Sequence, residues 1–261
     1  MAVWFARQAT NVNAVNVWNA ASDGSGAWLT WPPASGDVLM ANGYSVTVNV
    51  NTNLGSSGQV RTDIANGAIT GGRFTLSNGV SLTANAHAGS TICVFSNQST
   101  GFFVGNVFGG SANAADGVYY GGTGTFTITG NIAGGTVSGG AGVRLATNGT
   151  VNITGNLSMT VNNANAVANA TASGVVNVTG DVAGCTVAGA QAGTAYLVST
   201  GTLNITGNVT GNIGWGVHLF AAGTLTVSGY AQSGTTGSAI FNNALGIVTV
   251  GETRSASNGR P

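Results

Sequence analysis

The sequence predicts an all-β chain folded as a single-stranded parallel β-solenoid, a right-handed β-helix of about nine coils of roughly 22–29 residues. Three observations carry that prediction. A short motif returns at near-constant spacing. Apolar and polar residues alternate strictly inside each copy. Gly, Asn and Ser punctuate the stretches between copies.

The motif is clearest in GTFTITGNI from Gly124, GTVNITGNL from Gly149, GVVNVTGDV from Gly174 and GTLNITGNV from Gly201. GTLTVSGYA follows from Gly223 and a worn GIVTVGET from Gly246, so successive copies start 25, 25, 27, 22 and 23 residues apart. GRFTLSN at Gly72 and GNV at Gly105 fit the same frame. Phe126, Val151, Val176, Leu203, Leu225 and Val248 share one position; Ile128, Ile153, Val178, Ile205, Val227 and Val250 share the next but one. Thr or Asn lies between them. Period two with β-branched residues means a strand with one apolar face. Shorter apolar runs such as VRLA at 143–146, TAYLV at 194–198, GVHLF at 216–220 and SAIF at 238–241 add one or two strands per repeat. One such coil cannot bury its apolar face, but a stack of coils can. At about 4.8 Å per strand the stack is a rod on the order of 40 Å long. Right-handedness is the general rule for parallel crossovers. A leucine-rich repeat lacks its signature here, and a calcium-binding nonapeptide β-roll would need more than the six acidic residues present. An antiparallel sandwich or barrel would not by itself generate near-identical copies at one spacing.

Three regions follow: a cap or attachment segment at 1–56, the solenoid at 57–253 and a polar tail at 254–261. The first holds Trp4, Trp18, Trp28 and Trp31, four of the five Trp, together with Pro32 and Pro33. A solenoid end is an unpaired sheet edge that needs covering, and an aromatic-rich segment suits that role. The same residues, with Asp37 in the turn SGD, are candidates for attachment to another protein. The run WLTWPPASGDVLMANGYSVTVNV at 28–50 resembles the opening of phage-encoded structural proteins, which leads into Gly- and Thr-rich β-helical repeats. Pro32, Pro33, Gly36, Asp37, Val38, Asn42, Gly43, Val46 and Val48 carry the likeness. It implies a non-catalytic virion component of the fibre, spike or capsid-decoration type, bound to other virion proteins through its N-terminal segment. Trimeric relatives imply a homotrimer. A bacterial surface adhesin or matrix protein is the alternative, and a polysaccharide-degrading β-helix enzyme is a third reading.

Composition narrows the partners. Charged residues make up 5% of the chain, Lys is absent and the net charge is zero. Phosphate neutralisation needs a basic patch, so nucleic acid is not expected. No apolar run is long enough for a transmembrane helix, and the N-terminus does not read as a secretory signal. Synthesis in a cytoplasm is therefore expected, and the resemblance to phage-encoded structural proteins implies a virion as the location, with a cell surface as the alternative.

Chemistry-bearing residues are few. Glycoside cleavage generally needs two carboxylates about 5–10 Å apart. Among Asp23, Asp37, Asp63, Asp116, Asp181 and Glu252 no pair recommends itself. Asp181 occupies an Asn position of the motif, while Asp23 and Asp116 read as turn residues. His87 and His218 lie too many coils apart to share a metal, and Cys93 and Cys185 read as free buried thiols. No catalytic residue, metal or cofactor is expected. Among Phe102, Phe103, Tyr119, Tyr120, Trp215 and Phe220, aromatics outside the motif frame, Tyr119, Tyr120 and Trp215 are the candidates for stacking on host-surface carbohydrate. Adjacent strand residues face opposite ways, so one of the two Tyr should be exposed.

Overall fold

The computed structural model describes residues 2–54, 59–61, 73–77, 80, 82–83, 91–96, 100–108, 115–134, 141–159, 167–169, 173–184, 193–235, 237–243 and 245–255. These residues form a parallel β-solenoid with three faces. The motif strands make the first face: Thr100–Val104, Thr125–Thr129, Thr150–Thr154, Val175–Thr179, Thr202–Thr206 and the first half of Thr224–Gln232. Two-residue strands such as Ile132–Ala133 and Leu157–Ser158 make the second. Return strands, including Ala115–Tyr120, Val143–Leu145, Gly193–Leu197 and Trp215–Leu219, make the third.

About six turns, from Thr100 to Asn242, carry all three faces in one continuous stack, fewer than the nine the spacing suggests. Before them, the short strands Thr52–Asn53 and Leu82–Thr83 pair with each other and, among the described residues, with no other strand. The motif and return faces run further. Ser45–Val48 pairs with Arg73–Leu76, and Val38–Met40 lies between Val3–Ala6 and Gln59–Arg61. Parallel pairing therefore begins within residues 1–56.

Register explains the conserved-looking letters of the motif. Phe126 sits on Val151, Val151 on Val176, Val176 on Leu203 and Leu203 on Leu225. All five are fully buried, as are Ile128, Ile132, Val143 and Leu145 from the three faces of one turn. A fully buried aliphatic side chain is worth about 1.5–3 kcal/mol. Each turn repeats that contribution, and stacking like on like leaves no misfit between turns.

The Thr-Gly-Asn corner turns the chain from the first face to the second. Its Gly residues, 105, 130, 155, 180 and 207, have φ between 139° and 156°. A Cβ at Gly155 would lie 2.5 Å from the Gly130 carbonyl carbon, so only Gly allows this approach. The next residue builds a ladder. Asn106 Oδ1 accepts from Asn131 N, Asn131 Oδ1 from Asn156 N, Asn156 Oδ1 from Asp181 N, and Asp181 Oδ1 from Asn208 N, all at 2.8–2.9 Å. Asp181 is thus one rung of the Asn ladder, as its position in the motif suggests. A second ladder runs along the outer surface of the motif face: Asn204 Nδ2 donates to Asn177 Oδ1 and Asn177 Nδ2 to Asn152 Oδ1, at 2.9 and 2.8 Å.

The N-terminal end is closed by its own chain. Trp18–Asn19 runs antiparallel to Phe5–Ala6, and Asn11 bridges Thr47, with Val12 N donating to Thr47 O at 2.7 Å. Trp18 is buried, donates to Val12 O at 2.7 Å and stacks on Phe74 with centroids 6.2 Å apart.

Candidate functional site

The attachment candidates divide by burial. Trp18 belongs to the core, Trp4 and Trp31 are half-buried against it, Pro33 is buried, and Trp28 and Pro32 are exposed. Asp37 is the knot that ties them. Its carboxylate accepts from Ala2 N at 2.9 Å, Trp4 Nε1 at 2.8 Å and Ala34 N at 3.0 Å. Burial pushes its pKa up, but these three donors outweigh that and hold it below the ordinary 3.8. Gly36, Asn42 and Gly43 all have left-handed φ, at 90°, 51° and 85°. The SGD and ANG runs are therefore the turns on either side of Val38–Met40.

Asp23, Asp116 and Glu252 are each engaged. Asp23 holds Ser25 through its N–H at 2.9 Å and its hydroxyl at 2.7 Å, a turn contact. Glu252 pairs with Arg254 at 2.8 Å, and Arg254 lies 4.0 Å over the Tyr230 ring. Asp63 lies outside the described residues. Asp116 corrects the sequence reading: it is not in a turn but in the return strand Ala115–Tyr120, one turn before Arg144. Arg144 grips it bidentately, Nε to Oδ2 at 2.7 Å and Nη2 to Oδ1 at 3.1 Å, and Ala141 N adds a bond at 2.7 Å. Burial raises its pKa above the ordinary 3.8, and Arg144 offsets only part of that rise. A buried carboxyl with a raised pKa is the kind of group that acts as a general acid. No second carboxylate shares its contacts among the described residues, so the two-carboxylate arrangement of glycoside cleavage is not met there.

The aromatic candidates also separate. Phe102 and Phe103 lie inside the motif frame rather than outside it: Phe103 pairs Ile128 and is buried, and Phe102 pairs Thr127 and is 40% exposed. Tyr120 is fully buried, stacked on Phe126 at 5.6 Å, while Tyr119 is half-buried on the outer side. Trp215 enters a five-ring cluster near the C-terminal end. It stacks flat on Phe241, with centroids 4.2 Å apart and planes 3° from parallel. His218 stands edge-on to both, at 4.5 and 5.0 Å, with Tyr196 at 4.7 Å and Phe220 at 5.9 Å.

Tyr119, Arg144, Ala168, Tyr196, His218 and Phe241 occupy one column of the return face. The cluster is where that column becomes aromatic. His218 is 6% exposed, and neither of its ring nitrogens has a hydrogen-bond partner. Burial holds its pKa below the ordinary 6.5. Phe220, at 52% exposure, opens the cluster to solvent.

Sequence reasoning placed Trp215 and Phe220 but missed Tyr196, His218 and Phe241 as their companions. Aligning TAYLV, GVHLF and SAIF by register would have found them. His87 and Cys185 lie outside the described residues, and of Cys93 only its place in Thr91–Ser96 is described. Among the described residues no group of three or more metal-ligating side chains forms, and no helix is long and apolar enough to cross a membrane. No protein-family model, curated protein or solved structure matches the chain.

Proposed function

We propose that the chain is a non-catalytic structural component of a bacteriophage virion, a stiff rod of fibre, spike or decoration type. The observation that carries this reading is the continuous in-register stack from Thr100 to Asn242, whose motif face presents Thr and Asn ladders outward. A scaffold needs repetition and rigidity, and both are the product of this register. The phage assignment rests on the run at 28–50, whose matched residues form the turns and the Asp37 knot. That knot and the exposed Trp28 are the surface offered to other virion proteins. A glycan-binding role rests on Tyr119, half-buried on the outer side of the return strand.

The test is the composition of purified phage particles from a host that carries the coding sequence. The chain should be found by mass spectrometry at stoichiometric amounts in gradient-purified particles and be labelled on them by antibody. Its presence only on the surface of uninfected cells would instead establish the adhesin reading. Hydrolysis of a polysaccharide, abolished by Asp116→Asn, would establish the enzymatic one.

A further inference from the structure

Both ring nitrogens of His218 are buried and unpartnered, and they are not the cluster's only unmet polar atoms. Tyr196 Oη and Trp215 Nε1, on the two rings nearest His218, also have no hydrogen-bond partner among the described residues. Burial alone raises the Tyr196 pKa, with no hydrogen bond to offset it. Polar groups shut away from water without a partner cost stability unless something else meets them. The rings themselves divide into covered and open. Trp215 has one face under Phe241, 4.2 Å away and 3° from parallel. Phe220 meets Tyr196 and His218 only in edge contacts, at 6.5 and 5.9 Å, and is 52% exposed. Tyr196 is half-buried in the outward column of Gly193–Leu197. The open apolar surface is therefore Phe220 with Tyr196, and the unmet polar edges lie beside it. The strands GTAYL, WGVHL and IFN, which carry the rest of the cluster, hold no charged residue.

We propose that this cluster binds a neutral pyranose sugar, with Phe220 and Tyr196 packing on its C–H face and Tyr196 Oη, Trp215 Nε1 and His218 meeting its hydroxyl groups. A pyranose carries C–H bonds on its faces and hydroxyls around its rim, so it satisfies both halves of the cluster at once. Ligand sites generally join apolar and aromatic walls to a few placed polar groups. A purely apolar ligand would leave the polar edges unmet. A cation would find the space among the rings already filled by the His218 ring. An acidic sugar would find no free cation: Arg144, two rungs before Tyr196 in the column, is engaged with Asp116. Neutral imidazole has one donor and one acceptor, which matches a hydroxyl that both gives and receives. Burial keeps His218 in that form at neutral pH. The surrounding rings close its nitrogens off from solvent, so a hydroxyl reaches them only when a ring turns. Phe220, exposed and unstacked, is the ring able to turn. The site rests on the glycan-binding part of the proposed function and moves it along the return column from Tyr119, three rungs before Tyr196. It does not depend on the virion assignment, which particle composition tests separately.

The test applies the purified chain to a printed array of neutral oligosaccharides of glucose, galactose, mannose and N-acetylglucosamine, with sialylated and uronate-containing ones beside them. Calorimetric titration with the strongest neutral binder follows. Binding to neutral oligosaccharides and not to the acidic ones is expected. Phe220→Ser removes a ring that is already exposed, so circular dichroism should be unchanged, and it should weaken binding by about 10-fold or more, the scale of a lost anchor residue. His218→Phe keeps a ring and removes both nitrogens. It should weaken binding by about fivefold, the scale of one hydrogen bond, while raising the melting temperature, a split that a purely structural His218 would not give. Thr154→Ala on the motif face should bind as the native chain does. Absence of binding to every neutral oligosaccharide, a preference for the acidic ones, or native affinity in Phe220→Ser would each overturn the proposal. Binding lost in Tyr119→Ala but kept in Phe220→Ser would overturn it as well, by placing the sugar at Tyr119.

Discussion

Gly155→Ala tests whether the Thr-Gly-Asn corner is what locks one turn to the next. Gly155 has φ 149°, in a region essentially reserved for Gly, where another residue costs of order 1–3 kcal/mol. The added methyl would also lie 2.5 Å from the Gly130 carbonyl carbon and closer still to its oxygen. Relief requires the two turns to part. Parting weakens the bonds from Asn156 N to Asn131 Oδ1 and from Gly130 N to Thr154 O, both 2.9 Å, each worth about 1 kcal/mol. The sum is about 3–5 kcal/mol, a large fraction of the stability of a domain. The assay is equilibrium urea unfolding followed by circular dichroism, with Thr154→Ala as a control at the exposed neighbouring position. The control should change stability by less than about 0.5 kcal/mol. A Gly155→Ala cost below about 1 kcal/mol would refute the argument, because it would mean the turns are not held in close contact at this corner.

Other substitutions probe the buried polar groups. Arg144→Met leaves Asp116 buried without its cation and should cost about 2–3 kcal/mol in urea unfolding, somewhat less than a fully buried pair because Arg144 is partly exposed. Since the Asp116 pKa is raised on folding, its contribution is greatest when protonated and is lost as pH rises from 3.8 through the folded value; Arg144→Met should deepen that loss. His218→Phe removes two unpartnered buried nitrogens and should raise stability by about 1 kcal/mol, read as a higher melting temperature. In the native chain the depressed His218 pKa gives stability that is full above pH 6.5 and falls as pH drops through the folded value, and the variant should lose that part of the pH profile. Asp37→Asn replaces one acceptor oxygen with a donor facing Trp4 Nε1 or Ala34 N, and should cost about 1–3 kcal/mol and expose the first residues to limited proteolysis. The same Asp has a lowered pKa, so its contribution is present above pH 3.8 and is lost as pH falls through the folded value.

The motif face was legible because every copy repeats the same letters in the same places. Phe126, Val151 and Val176 could be stacked from the sequence, and so could the Asn ladder that Asp181 joins. The return face was not, because its copies keep only the apolar positions: VRL, GTAYL and WGVHL share an inward pattern while the outward letters drift. The contacts between unlike polar and aromatic side chains sit in that drift. Asp116 and Arg144 are 28 residues apart and look unrelated until one turn of offset sets them side by side. Tyr196, His218 and Phe241 are likewise neighbours only through register. The N-terminal knot was half visible: Asp37 reads as a turn residue accepting backbone donors, but nothing in the spacing reveals that Trp4, 33 residues earlier, is one of its donors.

The scarcity of charge follows from the architecture. Parallel in-register stacking places each outward residue over its own counterpart at about 4.8 Å, so a charged motif position would repel itself once per turn by about 1 kcal/mol even in water. Thr and Asn avoid that repulsion, and Asn turns the same closeness into a hydrogen bond, as from Asn177 to Asn152. Charges survive where the repeat diverges and an unlike neighbour is available: Asp181 between Asn156 and Asn208, Asp116 beside Arg144, Glu252 beside Arg254. The scarcity of charged residues is thus a consequence of the stack. The informative positions are those where the stack pattern fails without an evident compensation. His218, buried with both nitrogens unpartnered, is such a failure, and it makes the aromatic part of the return face, rather than the repetitive faces, the place to look for a binding partner.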